Sequence, residues 1–205
     1  MRIIENFFVI EGLDGSGTTT QLCRIRKKAE GLSPPLFTTF EPTDNPIGTL
    51  IRRVLHGELN VPPDTLMRLF SADRSLHLYE RETGILDRAA MGELVLSDRY
   101  LFSSIAYQAL GSPFEEVLSL NPFPLPEKVF FIELAPELCA SRREGRLKEE
   151  LFDELETQRA IRDGYYRAFE AFKNLNLEII DGTLSIEEIT AAIWRSLPYA
   201  PILEV

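Results

Sequence analysis

The chain has 205 residues, 44% of them apolar and 26% charged, a composition ordinary for a globular protein and enough for one large domain or two small ones. Its net charge of −10 argues against a binder of polymeric nucleic acid, which needs a basic face, but leaves room for a nucleotide site built from a few placed cations. Cys23 and Cys139 have no metal-ligand spacing, and no apolar stretch approaches a membrane span, so a cytoplasmic protein with no membrane association is expected.

In chain order, "FFVIE" (7–11) is a continuous apolar run ending at a glycine-rich turn, as in a strand buried on both faces of a parallel sheet, and not a signal peptide. A helical pattern follows from Thr18 to about Glu30 and stops at Gly31. "LFTTF" (36–40) reads as a second strand, closed by Glu41-Pro42, and Pro46 to His56 as a helix ending at Gly57. Residues 62–90 carry a long helical pattern that Gly84 breaks or bends. "ELVLSDRY" (93–100), "KVFFIEL" (128–134) and "LEIIDG" (177–182) supply three more strands, the second preceded by the loop "NPFPLPE". A helix up to about Lys173 and an amphipathic closing helix over 185–197, with Ser185 as N-cap and Glu188 completing a capping box, finish the pattern. The tail "PYAPILEV" carries no predicted element. Alternating strands and helices predict a single domain over 1–205, a three-layer α/β/α fold around a five-stranded parallel sheet.

Four stretches carry chemistry. In "GLDGSGTTTQ" (12–21), Gly12 and Gly17 have the spacing of a phosphate-binding loop, and Thr19 stands where a Mg²⁺-binding hydroxyl belongs. Thr18 occupies the usual lysine position. Backbone N–H groups of Asp14, Gly15, Ser16, Gly17, Thr18, Thr19 and Thr20, at the positive end of the following helix, suit a phosphate chain. In "LSDRY", Asp98 ends a parallel strand on the same crevice; it either holds Mg²⁺ or orients an acceptor phosphate, and Arg99 can grip that phosphate bidentately. In "RLFSADRSLH" (68–77), Phe70 and Arg74 share a helix face, an aromatic to stack on a base and a guanidinium to donate to its carbonyls. In "SRREGRLKEE" (141–150), Arg142, Arg143, Arg146 and Lys148 form a basic cluster in an acidic protein, the composition of a cationic lid for phosphoryl transfer.

These pieces, in this order, resemble the thymidylate kinases, nucleoside monophosphate kinases of the P-loop class. "FFVIEGLDGSGTTTQ", "EPTDNPIG", "LFSADRSLH", "DRYLFSSIAYQ", "IRDGYY" and "IIDGTLSIEEI" are each similar to a block of that family, so the resemblance covers nearly the whole chain. It implies a P-loop NTPase-type fold with a helical lid at about 141–153, ATP and Mg²⁺ as cofactors, dTMP as the acceptor, and a homodimer. It also implies roles. Phe70 would stack on thymine, Arg74 would contact the base carbonyl and the phosphate side, and Arg99 would hold the acceptor phosphate. Ser104 and Tyr107 would line base and sugar, Glu41 would belong to the acceptor site, and Asp14 would sit near the sugar 3′-hydroxyl and the metal. Asp153 falls where the family has a lid-adjacent glutamate. Arg142, Arg143 and Arg146 match the subtype that keeps its catalytic arginine in the lid. The chain departs from the family at Thr18, at Phe40 and Thr43-Asp44 around Glu41-Pro42, and in lacking the lid's Asp-Arg pair.

Overall fold

A computed structural model describes residues 2–143 and 151–199. Five strands, β1 (Ile3–Gly12), β2 (Leu36–Phe40), β3 (Leu94–Asp98), β4 (Leu125–Glu133) and β5 (Leu177–Asp181), form one sheet in the order β2-β3-β1-β4-β5. Every neighbouring pair is parallel, with Phe7 opposite Val95, Phe40 opposite Asp98, Gly12 opposite Ile132 and Glu133 opposite Asp181. Strand ends therefore gather along one edge, where open α/β sheets bind ligands.

The alternation of side chains along a strand makes the layers. Phe7 and Val9 of β1 enter a core that also holds Tyr100, Phe102, Phe131, Tyr165 and Phe169. Phe8 and Ile10, pointing the other way, join Leu22, Ile25, Ile189 and Ile193. The first core belongs to α5 (Leu101–Gln108) and α8 (Leu155–Glu170), the second to α1 (Thr18–Lys28) and α9 (Ile186–Arg195). Helices cover both faces of the sheet, as the predicted α/β/α layering requires.

Most elements fall where the sequence places them. α1 ends before Gly31, whose φ is 77°, and α2 (Pro46–Leu55) before Gly57, at φ 71°. Asn45 caps α2, its Oδ1 accepting from Ile47 N at 2.8 Å and Gly48 N at 2.9 Å. The long pattern over 62–90 divides into α3 (Pro63–Tyr79) and α4 (Ile85–Ala90), with Gly84 as the N-cap of the second. Ser185 and Glu188 form the capping box of α9.

Three corrections concern the rest. The first strand starts at Ile3 because a register shift between Ile4 and Phe8 lets Ile3 and Ile4 pair with Leu125 and Pro126. For the same reason β4 begins inside the proline-rich stretch read as a loop. The third strand stops at Asp98, since Arg99 turns the chain at φ 72°. α5, α6 (Phe114–Ser119) and α7 (Pro136–Arg143) carry no separate prediction from the sequence. Cys139 is buried and Cys23 exposed. Among the described residues no helix is long and apolar enough to cross a membrane.

Candidate active site

Two cavities meet at the sheet edge. The first, of about 460 Å³, is lined by Asp14 to Gln21, Arg99, Arg142, Leu184, Ile186 and Ile189. Its floor is the β1–α1 loop. Gly15 has φ 94° and Gly17 φ 104°, and a Cβ at residue 15 would stand 2.6 Å from the Cys139 carbonyl oxygen, so the turn requires glycine. Gly17 is the N-cap of α1 and no side chain caps that end. The first-turn N–H groups are thus left for an anion. Thr18 is buried in the loop, while Thr19 and Thr20 are exposed. Thr19 Oγ1 donates to Asp98 Oδ2 at 2.6 Å, and Asp98 Oδ1 is buried with no hydrogen-bond partner among the described residues. A hydroxyl beside a carboxylate oxygen left open fits Mg²⁺, which takes few protein oxygens and keeps water and phosphate as its other ligands.

The second cavity, of about 220 Å³, brings together Asp14, Glu41, Phe70, Arg74, Arg99, Ser104 and Tyr107, all singled out in the sequence from segments far apart in the chain. It also takes in Arg52, Ser103, Gln108 and Phe152, which the sequence reading passed over. Gln108 Nε2 is buried without an acceptor. Asp14 and Arg99 line both cavities and form their boundary.

This pocket is a network of buried charges. Arg74, 1% exposed, donates from Nε to Glu41 Oε2 at 2.9 Å and from Nη2 to Glu41 Oε2 at 2.6 Å and Ser104 Oγ at 2.8 Å, with Nη1 on Asn121 Oδ1. Of the guanidinium's N–H donors, one on Nη1 remains for a ligand among the described residues. Burial opposes ionisation of Glu41, but Arg74 and His77, whose Nδ1 lies 3.0 Å from Oε1, outweigh it and hold the carboxyl below its ordinary range. Arg99 donates from Nη2 to Asp14 Oδ1 at 2.6 Å, and from Nη1 to Ser103 Oγ at 3.1 Å and Tyr165 OH at 3.0 Å. Its Nε–H and one Nη2–H are left over among the described residues. Tyr107 donates to Asp14 Oδ2 at 2.9 Å; burial pushes its pKa well up, so the phenol keeps its proton. Both Asp14 oxygens are thereby engaged.

Glu11, also missed, is fully buried one residue before the end of β1, and its pKa rises to about 7. Burial drives that rise, and hydrogen bonds from Ser103 and Tyr165 and the charge of Arg99 restrain it. The signal was present in the sequence as an acid closing an apolar strand. Asp73, buried beside Arg74, was likewise passed over; it accepts from Thr43 N at 2.9 Å and Thr43 Oγ1 at 2.6 Å. Thr43, one of the departures from the family, thus ties the Glu41-Pro42 turn to α3.

The basic segment is only partly placed. Arg142 reaches the carbonyls of Ser16, at 3.4 Å, and Gly182, at 3.1 Å. Arg143 donates to the Asp14 carbonyl and pairs through Nε with Asp153 Oδ1 at 3.2 Å. Arg146 and Lys148, within the expected lid, lie outside the described residues.

Comparison with known proteins points the same way. The thymidylate kinase family profile matches residues 10–193. A protein of Treponema pallidum that carries the thymidylate kinase name is 41% identical over 177 residues, 85% of this chain and 84% of its own length. Relatives with that name in Pyrococcus abyssi and Methanocaldococcus jannaschii are 35% and 33% identical, covering 89% and 91% of this chain and 91% and 93% of their own. With a glycine loop of phosphate-binding spacing, a Thr19–Asp98 pair and a pocket built around Arg74 and Arg99 on one sheet edge, and with the match running from β1 into α9, the chain belongs to the thymidylate kinase family.

Proposed function

We propose that this protein transfers the terminal phosphoryl group of ATP to dTMP, giving ADP and dTDP. The observation that carries the reading is the juxtaposition of the two cavities, with Asp14 and Arg99 as their common wall. A donor phosphate chain on the loop of residues 12–20 and an acceptor phosphate on Arg99 would then lie on one line. The reaction is in-line transfer with no covalent intermediate, so positioning and charge neutralisation supply the catalysis. Mg²⁺, held by Thr19 and Asp98, would neutralise charge on the donor phosphates.

On the acceptor side, Arg99 offers Nε–H and its spare Nη2–H to the phosphate. Phe70 stacks on the base, Gln108 Nε2 and the spare Nη1–H of Arg74 donate to base carbonyls, and Ser104 orients Arg74. Tyr107, fixed by Asp14, crowds the sugar and favours deoxyribose. Arg142 and Arg143, on the last turn of α7, lead into the lid and bring positive charge to the donor side, with Arg146 beyond them. Residues 1–205 act as one catalytic domain in the cytoplasm, and a homodimer completes the reading.

The test is a coupled ADP-release assay with dTMP, dUMP, dCMP and thymidine. Turnover is expected to be greatest with dTMP. It should be absent with thymidine, which offers Arg99 no phosphate. A protein that binds dTMP yet releases no ADP with ATP and Mg²⁺ would be a binding homologue and not a kinase.

A further inference from the structure

Glu11 lies on the face of β1 whose other side chains, Phe7 and Val9, are in the apolar core beneath α5 and α8. A carboxylate there is costly unless donors surround it. Its Oε1 accepts from Tyr100 N at 2.9 Å and Ser103 N at 3.3 Å, and its Oε2 accepts from Ser103 Oγ and from Tyr165 OH at 3.1 Å. The backbone donors belong to the opening of α5, where Tyr100 is the N-cap residue and offers no side-chain cap. Glu11 satisfies those N–H groups from another strand. α5 is also the helix that carries Ser104, Tyr107 and Gln108 into the acceptor pocket.

The hydroxyl donors matter more. Ser103 and Tyr165 are the same groups that accept from Arg99 Nη1. A hydroxyl has a single proton. When the Ser103 proton points to Glu11, the lone pairs of that hydroxyl are left for the guanidinium. Tyr165 OH, 2.8 Å from Ser103 Oγ, lies 3.1 Å from both Glu11 Oε2 and the Gly12 carbonyl, and with its proton on either, its lone pairs too are left for Arg99. We propose that Glu11 is the positioning residue of the acceptor phosphate site: it directs the Ser103 and Tyr165 hydroxyls so that they hold Arg99 with its remaining N–H donors toward the phosphate. Glu11 never touches the nucleotide and acts through Arg99 and α5. The proposal rests on the dTMP reading above and names the device that builds its phosphate grip.

Glu11→Gln separates this role from simple packing. The amide has the same shape, but its NH₂ must face either the backbone N–H pair or the two hydroxyls. One donor then meets another, or the Ser103 and Tyr165 protons leave residue 11 for each other, for the Gly12 carbonyl or for Arg99, and the grip on Arg99 is reset. The experiment is calorimetric binding of dTMP and of ATP to the full chain at about pH 8, where Glu11 is a carboxylate, with KM values for both. We expect Glu11→Gln to weaken dTMP binding about 10-fold and raise its KM alike, with ATP unchanged within about twofold. A folded variant that binds dTMP as tightly as the wild type overturns the proposal, as does equal weakening of both nucleotides. Wild-type protein that fails to bind dTMP at all sinks the dTMP reading itself, a distinct result. Should Glu11→Gln not fold, Tyr165→Phe removes one oriented hydroxyl and leaves Glu11 in place. It is expected to weaken dTMP binding about threefold with ATP unaffected, and unchanged dTMP affinity there overturns the proposal equally.

Discussion

The two halves of the crevice are built by opposite means. On the reading proposed above, the acceptor half relies on side chains: Glu11, Glu41 and Arg74, which are buried, and Arg99 and Asp14, which are half-buried, each hydrogen-bonded to others of the set or to hydroxyls that serve them. The donor half relies on the main chain. Two left-handed glycines and an uncapped helix N-terminus form its floor, with the Thr19–Asp98 pair beside them and the Asp14–Arg99 pair as the wall shared with the other half. Charges buried together lose their partners together, so substitutions in the acceptor half should be expensive and coupled. A cradle of N–H groups does not depend on which side chain hangs from it, so the donor half should tolerate change. On the proposed reading, that contrast is what lets Thr18 stand where the phosphate-loop pattern has a lysine.

The largest effect expected is on stability. Arg74→Ala leaves Glu41 as a dry carboxylate with only His77 beside it, and removes the partner of Asn121 and Ser104. Breaking a buried pair in this way costs about 3–5 kcal/mol. Urea denaturation should show the midpoint falling accordingly. A loss under about 1 kcal/mol would mean that water reaches Glu41 and that the acceptor half is not the dry network described.

Glu11 gives the next effect, and its sign is opposite to that of most carboxylates. Its folded pKa, about 7, lies above the ordinary 4.5, so between these values the native state binds more protons than the unfolded chain. Its contribution to stability is therefore complete below pH 4.5 and is lost as pH rises through 7, on the order of 3 kcal/mol in all. Glu41, held low by Arg74, contributes with the reverse slope. The difference between wild type and Glu11→Gln isolates the one group. It should shrink steadily from pH 4.5 to 7 in thermal or urea unfolding, and a flat difference would show that Glu11 titrates as an ordinary exposed acid.

What the sequence made legible follows the same division. Strands with apolar runs, glycine stops, the Ser185 capping box and the phosphate loop are local patterns, and the structure places them within a few residues. The pieces of the acceptor pocket were legible as types, because an aromatic and arginines recur at family spacing. Their bonds to one another were not. Arg74 and Glu41 are 33 residues apart, Glu11 and Tyr165 154 apart, and nothing local records that a hydroxyl on α8 will meet an acid on β1. α5 escaped notice for a related reason. All of Leu101–Gln108 is buried, so it lacks the polar stripe that marks a surface helix.

Arg99→Ala tests the acceptor half by activity. Residue 99 has φ 72°, a strain that alanine would share with arginine, so the loss reports the guanidinium and not the turn. Removing a charge-assisted contact to phosphate should cost about 1.5–3 kcal/mol, roughly 10- to 100-fold in kcat/KM for dTMP. Since Arg99 also borders the donor cavity, the KM for ATP is expected to rise as well, but less. An ATP defect larger than the dTMP defect would assign Arg99 to the donor half.

Thr18→Lys is the smallest effect expected, and it addresses the donor half. Thr18 is 6% exposed and opens the first turn of α1, whose N-terminus carries no side-chain cap, so on the proposed reading its N–H serves a donor phosphate whatever side chain it carries. A lost charged contact costs about 1.5–3 kcal/mol when nothing replaces it. Here Arg142 and Arg99 line the same cavity, and Arg142 reaches the loop itself at the Ser16 carbonyl. On the proposed reading, positive charge is therefore already at hand for a bound phosphate chain, and a lysine at residue 18 would add to it. We predict that Thr18→Lys changes kcat by less than about threefold, while Arg142→Ala lowers it by about 10-fold or more. Should Thr18→Lys raise kcat about 10-fold, the loop would be an impaired one awaiting its lysine, and main-chain donors with neighbouring arginines would not be sufficient. If the wild type were silent and Thr18→Lys alone restored ADP formation, the kinase reading would give way to a protein that kept the thymidylate pocket for binding.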